Sequence, residues 1–428
     1  MTMAMVNQVR VRDKLKPMAT PTKNPFGLCL DDIRDAKREI HRYLKPSPLI
    51  QNAWLSEKLG CELYLKLENM QPIGAFKIRG AIYKISKLSE EERKRGVIAA
   101  SAGNHAQGVA WAAKRLGVRA LIVMPKAAPL VKVQNTRHFG AEVVLMGDNY
   151  DEAFAYTQEL ARTSQMVLIP AFEDRQIIAG QGTIALELLD QLPDLDVVSA
   201  SIGGGGLLSG IAVALRELKP GVILIGSQAS GASAMISSIR QGERKLNASV
   251  NTFADGIAVG RVSPDMLALL SPRLDLTLDA DDEDIAAAVL ALMEKAKIIA
   301  EGAAAVSLAV LEKVREKIQG KKVVVIVGGG NIDVNLISRI IDRGLIRAER
   351  RLRVNVLMSD KPGSLARLTE LIAREGANIL QAIHDRSEPS TRLDQTDVAL
   401  TLETRGPEHS RALIEALRGQ AVRVEVVN

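Results

Sequence analysis

Lys77 stands directly after Phe76 in the turn LKLENMQPIGAFKIRGA, at the start of a helical stretch. An amine there has two fates. It can be a surface cation, the commonest role of lysine, or its apolar neighbours Ile73, Ala75, Phe76 and Ile78 can lower its pKa and make it a nucleophile that forms an imine with an aldehyde. A second turn, ASAGNHAQGVA, sets Ser101, Gly103 and Asn104 at the amino end of a helix, where free amides and the helix dipole suit a carboxylate or another anion. Ser and Asn are also good caps, so an ordinary capped helix is the alternative, and His105 reads more readily as a packed or capping residue than as a base. A third turn, SIGGGGLLSG, carries Gly203, Gly204, Gly205 and Gly206 between a strand and a helix. Consecutive glycines cost entropy unless backbone must approach something closely. A phosphate held by amides is the natural occupant, and a bare tight turn the alternative. Neither GxGxxG nor GK[ST] occurs there, which argues against a dinucleotide or a triphosphate. A fourth turn, VVVIVGGGNID, places Gly328, Gly329, Gly330 and Asn331 after a strand. A phosphate cradle, an imine-forming lysine and a carboxylate-binding helix end together fit pyridoxal 5'-phosphate acting on an amino acid, because that ring absorbs the electrons released when the Cα proton leaves.

The elements that must hold these turns are legible around them. The runs ELYLKL, GVIAA, RALIVM, AEVVLM, MVLIP, DVVSASI, VILIGS and KKVVVIV read as strands. Amphipathic stretches at 104–116, 151–163, 206–218 and 285–297 alternate with them. Strands this apolar fit sheets buried on both faces, and the alternation predicts an α/β architecture with parallel sheets whose sites lie at the strands' carboxyl ends. After Asp342 the character changes. RGLIRAERRLR is charged and lacks a core pattern, so it reads as a linker. Beyond it a strand, helix, strand, strand, helix and strand follow in the βαββαβ order of the ferredoxin-like motif. The expected organisation is a flexible segment over 1–26, a catalytic domain over 27–345, a linker over 346–351 and a small final domain over 352–428.

Composition narrows the partners. Aromatics are 3% of the 428 residues, too few for base-stacking platforms, and the +6 formal charge is spread among both signs, so no nucleic acid is expected. No apolar run reaches the ~20 residues of a membrane helix. Cys29 and Cys61 form no CxxC pair, which leaves no disulfide framework or zinc site. A cytosolic enzyme without a metal is the expectation.

The four motifs, in this order, resemble the threonine ammonia-lyases (threonine/serine dehydratases) of pyridoxal-phosphate fold type II, a two-lobed catalytic fold. The likeness runs from LDDIRDAKREI through IIAGQGTIALELL and ADGIAV to GGGNID. The last domain, with SDKPGSLARLTELIAREGANI, resembles an ACT domain, a small-ligand module that pairs with its copies. The resemblance implies β-elimination from threonine to 2-oxobutanoate and ammonium, feeding isoleucine biosynthesis. It implies Lys77 as Schiff-base lysine and Cα base beside Phe76, Gly203–Gly206 with Leu207 as the phosphate loop, and Asn104 on the phenolic oxygen of the cofactor. Ser101, Gly103, His105 and Gln107 would surround the substrate carboxylate. Glu301, in IIAEGAAA, would lie near the cofactor ring, with an exposed helix cap as its alternative. The implied partners are an amino-acid substrate, an amino-acid effector at the ACT-like domain, and further copies of the chain in a homodimer or homotetramer. The sequence departs from the family at Ile73-Gly74-Ala75-Phe76-Lys77, usually TGSFK, at Gly226-Ser227-Gln228-Ala229, usually GVEP, and at Gly328, where a Ser or Cys usually faces the pyridine nitrogen. These departures bear on substrate preference and keep two rivals in view: a lyase for serine or hydroxyaspartate, and a sensor without turnover.

Overall fold

The computed structural model describes residues 24–245, 250–386 and 392–427. Most of the segment read as a flexible terminus, 1–23, lies outside the described residues. The chain forms two compact units, divided between Ile332 and Asp333.

The first unit holds two sheets. The larger has the order β1-β2-β10-β7-β8-β9, from β1 (Leu49–Gln51), β2 (Glu62–Leu67), β7 (Val197–Ser201), β8 (Ile223–Ala229), β9 (Leu276–Ala280) and β10 (Lys322–Val327). All neighbours are parallel except β1, which runs antiparallel to β2. The smaller sheet is parallel throughout, in the order β5-β4-β3-β6, from β3 (Val97–Ala100), β4 (Ala120–Met124), β5 (Glu142–Leu145) and β6 (Val167–Leu168). Every residue of β3, β4 and β7 is buried, which is why these strands read as unbroken apolar runs. Two strands escaped the sequence reading because they lie at edges. β1 is three residues long, and β9 is only partly buried, so its LTLDA never forms an apolar run.

Three helices of this unit pack against one another at backbone distance. The helix Arg175–Gln191 meets the helix Lys77–Ser86 where a Cβ on Gly180 would fall 2.6 Å from Gly80 Cα. It meets the helix Gly206–Leu218 where a Cβ on Gly210 would fall 2.3 Å from the Ile178 carbonyl. One buried helix thus fixes the two helices whose first residues carry the Lys77 turn and the glycine loop.

The second unit is the βαββαβ domain. Its antiparallel sheet has the order β12-β13-β11-β14, from β11 (Arg351–Ser359), β12 (Asn378–Asp385), β13 (Gln395–Glu403) and β14 (Arg423–Val426). The helices Ser364–Arg374 and Pro407–Arg418 supply Leu368, Leu371, Ile372, Leu413 and Leu417 to the same core as Val354, Val356, Val398 and Leu400. β11 and β13 bury alternate residues, the period of a sheet covered on one face. The edge strand β12 is exposed along its whole length. The charged run read as a linker takes a different form. Residues up to Arg347 belong to the helix Val334–Arg347, and β11 starts at Arg351. Only Ile340 of that helix is buried, although its apolar residues recur at helical spacing.

Candidate active site

The Lys77 turn is stitched to the last glycine turn by backbone. Phe76 N–H donates to the Gly328 carbonyl at 2.9 Å, Gly330 N–H donates to the Gly74 carbonyl at 2.9 Å, and Ala75 bridges Gly329. Ile73 and Ala75, where the family has hydroxyls, are buried in the core. Lys77 opens its helix half-buried. Its Nζ donates to the Ala171 carbonyl at 2.9 Å and lies 5.3 Å from the centre of the Phe76 ring. Burial pushes its pKa down to about 8, against a weaker opposing pull from Glu301.

Gly329 makes room for the groups opposite. A Cβ there would lie 2.4 Å from Glu301 Oε1 and 3.1 Å from Asn104 Nδ2. Asn104 is the first residue of its helix, and its Nδ2 donates to Glu301 Oε1 at 2.8 Å and Oε2 at 3.1 Å. Glu301 precedes the helix Gly302–Ala309 and is buried, so it is no exposed cap. Burial raises its pKa to about 7; the Asn104 hydrogen bond opposes this, Asp255 adds to it, and Lys132 and Lys77 pull it back. A Cβ on Gly328 would sit 3.3 Å from the Phe76 ring and 3.9 Å from Leu207 Cδ2, so Gly328 lies between the lysine turn and the glycine loop.

In that loop Gly205 has φ +97°, the left-handed region that favours glycine, and caps the helix Gly206–Leu218. A Cβ on Gly204 would fall 2.3 Å from Phe172 Cδ1, so only bare backbone passes that ring. The helical ladder begins with Ser209 N–H donating to the Gly205 carbonyl at 2.9 Å. The amides before it have no helical acceptor. Ser209 Oγ is buried without a partner in the same first turn. This donor-rich, side-chain-free cradle fits a phosphate.

The other anion site is less open than its motif implies. Ser101 Oγ accepts from Gly103 N–H at 3.1 Å. His105 is buried, and its Nε2 carries the hydrogen, since it meets the Ile169 carbonyl at 2.9 Å. Burial and then Lys77 lower its pKa to about 4, so the ring is neutral. Gln107 is buried as well. The structure therefore brings Lys77, Phe76, Asn104, Glu301, Gly328 and Leu207 together, with the buried His105 bonded to the Ile169 carbonyl and close enough to Lys77 to feel its charge.

Sequence reading missed the charge cluster behind the cleft. Arg79, two residues after Lys77 and fully buried, pairs with Glu68 (Nε–Oε2 2.7 Å) and Glu187 (Nη1–Oε1 2.7 Å), and Lys66 Nζ joins Glu187 at 2.6 Å. The available signal was a lone charge inside each apolar run: LYLKL, IRGAI and IALELL. Each such charge has to find a partner. Among the described residues no group of three His, Cys, Asp or Glu could hold a metal ion, and no helix is long and apolar enough to cross a membrane.

The sequence profile of the family described as pyridoxal-phosphate dependent enzyme matches residues 40–329, and that of the ACT domain matches 352–419. The chain is 43% identical to the L-threonine ammonia-lyase of Thermotoga maritima over 401 residues, 94% of this chain and 100% of that protein. It is 38% identical to the L-threonine dehydratase biosynthetic IlvA of Haemophilus influenzae over 335 residues, 78% of this chain and 65% of that protein. The solved structure of the processed form of threonine deaminase isoform 2 from Solanum lycopersicum matches with a TM-score of 0.70 at 35% identity, over 76% of this chain and 98% of that chain.

Proposed function

This chain belongs to the pyridoxal-phosphate dependent enzyme family, and on that premise we propose that it is a cytosolic L-threonine ammonia-lyase, forming 2-oxobutanoate and ammonium for isoleucine biosynthesis. The observation that carries the reading is Lys77, an amine with its pKa down at about 8, whose neighbour Phe76 meets Gly328 next to Leu207 of the glycine loop. When bound, pyridoxal phosphate supplies the aldehyde that captures the amino acid and the ring that takes up the Cα electrons. The amides of the loop from Gly203 to Leu207 would hold its phosphate, and Asn104 would donate to its ring oxygen. Ser101 and Gly103, at the amino end of the Asn104 helix, would hold the substrate carboxylate, with His105 and Gln107 buried on the same helix beside it. Lys77 takes the Cα proton. At pH 8 about half of this amine is neutral, against about 0.3% for an ordinary lysine, so the base is ready near neutral pH. Glu301, with a pKa of about 7, would be about half protonated at neutral pH and would face the same ring oxygen through its contact with Asn104.

The second unit supports an effector site and self-association. The strand β12 leaves Ile379 (38%), Leu380 (49%) and Ile383 (53%) exposed on an unpaired edge, an edge that a second copy of the chain would cover. The turn Ser359–Leu365 with the strand after Gly376 would line a site for a small amino acid such as isoleucine or valine. Purified protein supplied with pyridoxal phosphate should form 2-oxobutanoate from L-threonine faster than 2-oxo acid from serine or hydroxyaspartate. A chain ending at Ile332 should bind cofactor but lose any response to isoleucine or valine. Cofactor binding without turnover of any of the three substrates would leave the sensor reading instead.

A further inference from the structure

Asn331 closes the glycine turn GGGNID, and no role in the chemistry above falls to it. Its Nδ2 donates twice, to the Ile73 carbonyl at 2.8 Å and to Asn104 Oδ1 at 2.8 Å. The two ends of an amide side chain have nearly the same shape, so its partners decide which end faces a ligand. The Ile73 carbonyl can only accept. The end of Asn331 that faces it must therefore be the NH2 group. The second hydrogen of that group then needs an acceptor, which Asn104 meets with its carbonyl oxygen. Asn104 is left with its own NH2 turned toward Glu301 and the cleft.

We propose that Asn331 is a positioning residue. Through this relay from the Ile73 backbone it fixes the side-chain amide of Asn104 donor-outward, so that the cleft presents a hydrogen-bond donor to an oxyanion on the cofactor ring. The inference rests on the reading that Asn104 meets the ring oxygen. Two features of the turn support it. Gly74 has φ +71°, and a Cβ there would lie 2.7 Å from Asn331 Oδ1, so the glycine before the lysine leaves the space that Asn331 fills. The backbone pairing of Gly330 N–H with the Gly74 carbonyl, at 2.9 Å, fixes the height of Asn331 against the same turn. The donor of the relay thus comes from the turn after β10, and its two acceptors from the turns after β2 and β3.

The test uses the full chain and reads cofactor binding as well as turnover. Asn331→Asp nearly keeps the shape, but an ionised carboxylate only accepts; it cannot donate to Ile73, and it draws the NH2 of Asn104 toward itself. The expected result is about a tenfold loss of pyridoxal phosphate affinity, the scale of one hydrogen bond to a charged group. The visible absorption band of the bound cofactor should shift, and the unfolding midpoint should stay near that of the parent. Asn104→Ala alone should give a similar loss and shift. In the Asn104→Ala background Asn331→Asp should add nothing, because it acts through Asn104. An equal further loss in that background overturns the relay while leaving Asn104 in its role. An Asn104→Ala protein with unchanged affinity and band overturns both. Where Asn331→Asp fails to fold, Asn331→Ser, which can still donate one hydrogen bond, takes its place. It should fall between parent and Asn104→Ala in affinity, and a loss beyond that of Asn104→Ala overturns the relay.

Discussion

Lys66 and Lys77 share one sequence motif and are both withdrawn from water, and they differ in how many acceptors they meet. Lys66 on β2 is fully buried and donates to the Ser47 carbonyl at 2.8 Å, Glu187 Oε2 at 2.6 Å and Gln191 Oε1 at 2.9 Å. Three acceptors match the three hydrogens of an ammonium. Lys77 has the Ala171 carbonyl and the face of Phe76. Burial lowers the pKa of both, but at Lys66 the carboxylates of Glu187 and Glu68 stand close against it. Glu187 in turn would be raised by burial, and Arg79 and Lys66 hold it down at about 2. Burial alone therefore does not make a reactive amine. A saturated ammonium becomes part of the frame, while an amine with one neutral acceptor keeps the freedom to exchange its proton for a covalent bond.

The largest effect should come from Lys77. Lys77→Ala should lower 2-oxobutanoate formation by at least about 10³-fold, the scale of a lost base, and abolish the cofactor's visible band, while the unfolding midpoint near neutral pH rises because a buried ammonium is removed. Lys77→Arg should fail equally, since a guanidinium stays protonated. An active Lys77→Ala protein would erase the contrast between the two lysines.

Lys66→Ala should reverse the pattern. It strips a partner from a buried carboxylate, a change that costs about 3–5 kcal/mol of folding stability. Denaturant titration should register that loss, while the protein that remains folded keeps its cofactor band. If Lys66→Ala loses the band at full stability, Lys66 belongs to the chemistry and the division drawn here is wrong.

The two lysines also mark what a sequence can disclose. Lys77, Asn104, Gly203–Gly206 and Gly328 stand in short turns after apolar strands, and the local pattern that makes a strand end also singles out the turn beyond it. The βαββαβ unit was legible for the same reason, because β11 and β13 alternate residue by residue. Lys66, Arg79 and Glu187 were visible only as oddities in apolar runs. Among the three, the pairs span up to 121 residues, and no local period encodes such a pairing. The Ala171 carbonyl that receives Lys77 belongs to backbone, whose identity leaves no mark in a side-chain pattern. Asn331 was printed in its motif, but its partner Ile73 is likewise a carbonyl.

The smallest effect is a change in how stability depends on pH, and it sets Lys77 against the carboxyl opposite. Glu301 is raised from 4.5 to about 7, so between those values the folded protein holds a proton that the unfolded chain has released. Stability should fall as pH rises through that window, by up to about 1.4 kcal/mol per pH unit, and the fall should end above pH 7. Lys77 is lowered from 10.5 to about 8, so between those values the unfolded chain holds the extra proton and stability should rise with pH. Glu301→Gln should flatten the first slope and leave the second, and Lys77→Met should do the opposite. Unfolding free energies of the three proteins from pH 5 to pH 10, taken without cofactor, separate the two windows. A Glu301→Gln protein whose slope between pH 5 and pH 7 matches the parent would mean that this carboxyl is already ionised beside Asn104, and that it holds no proton to lend to the ring oxygen.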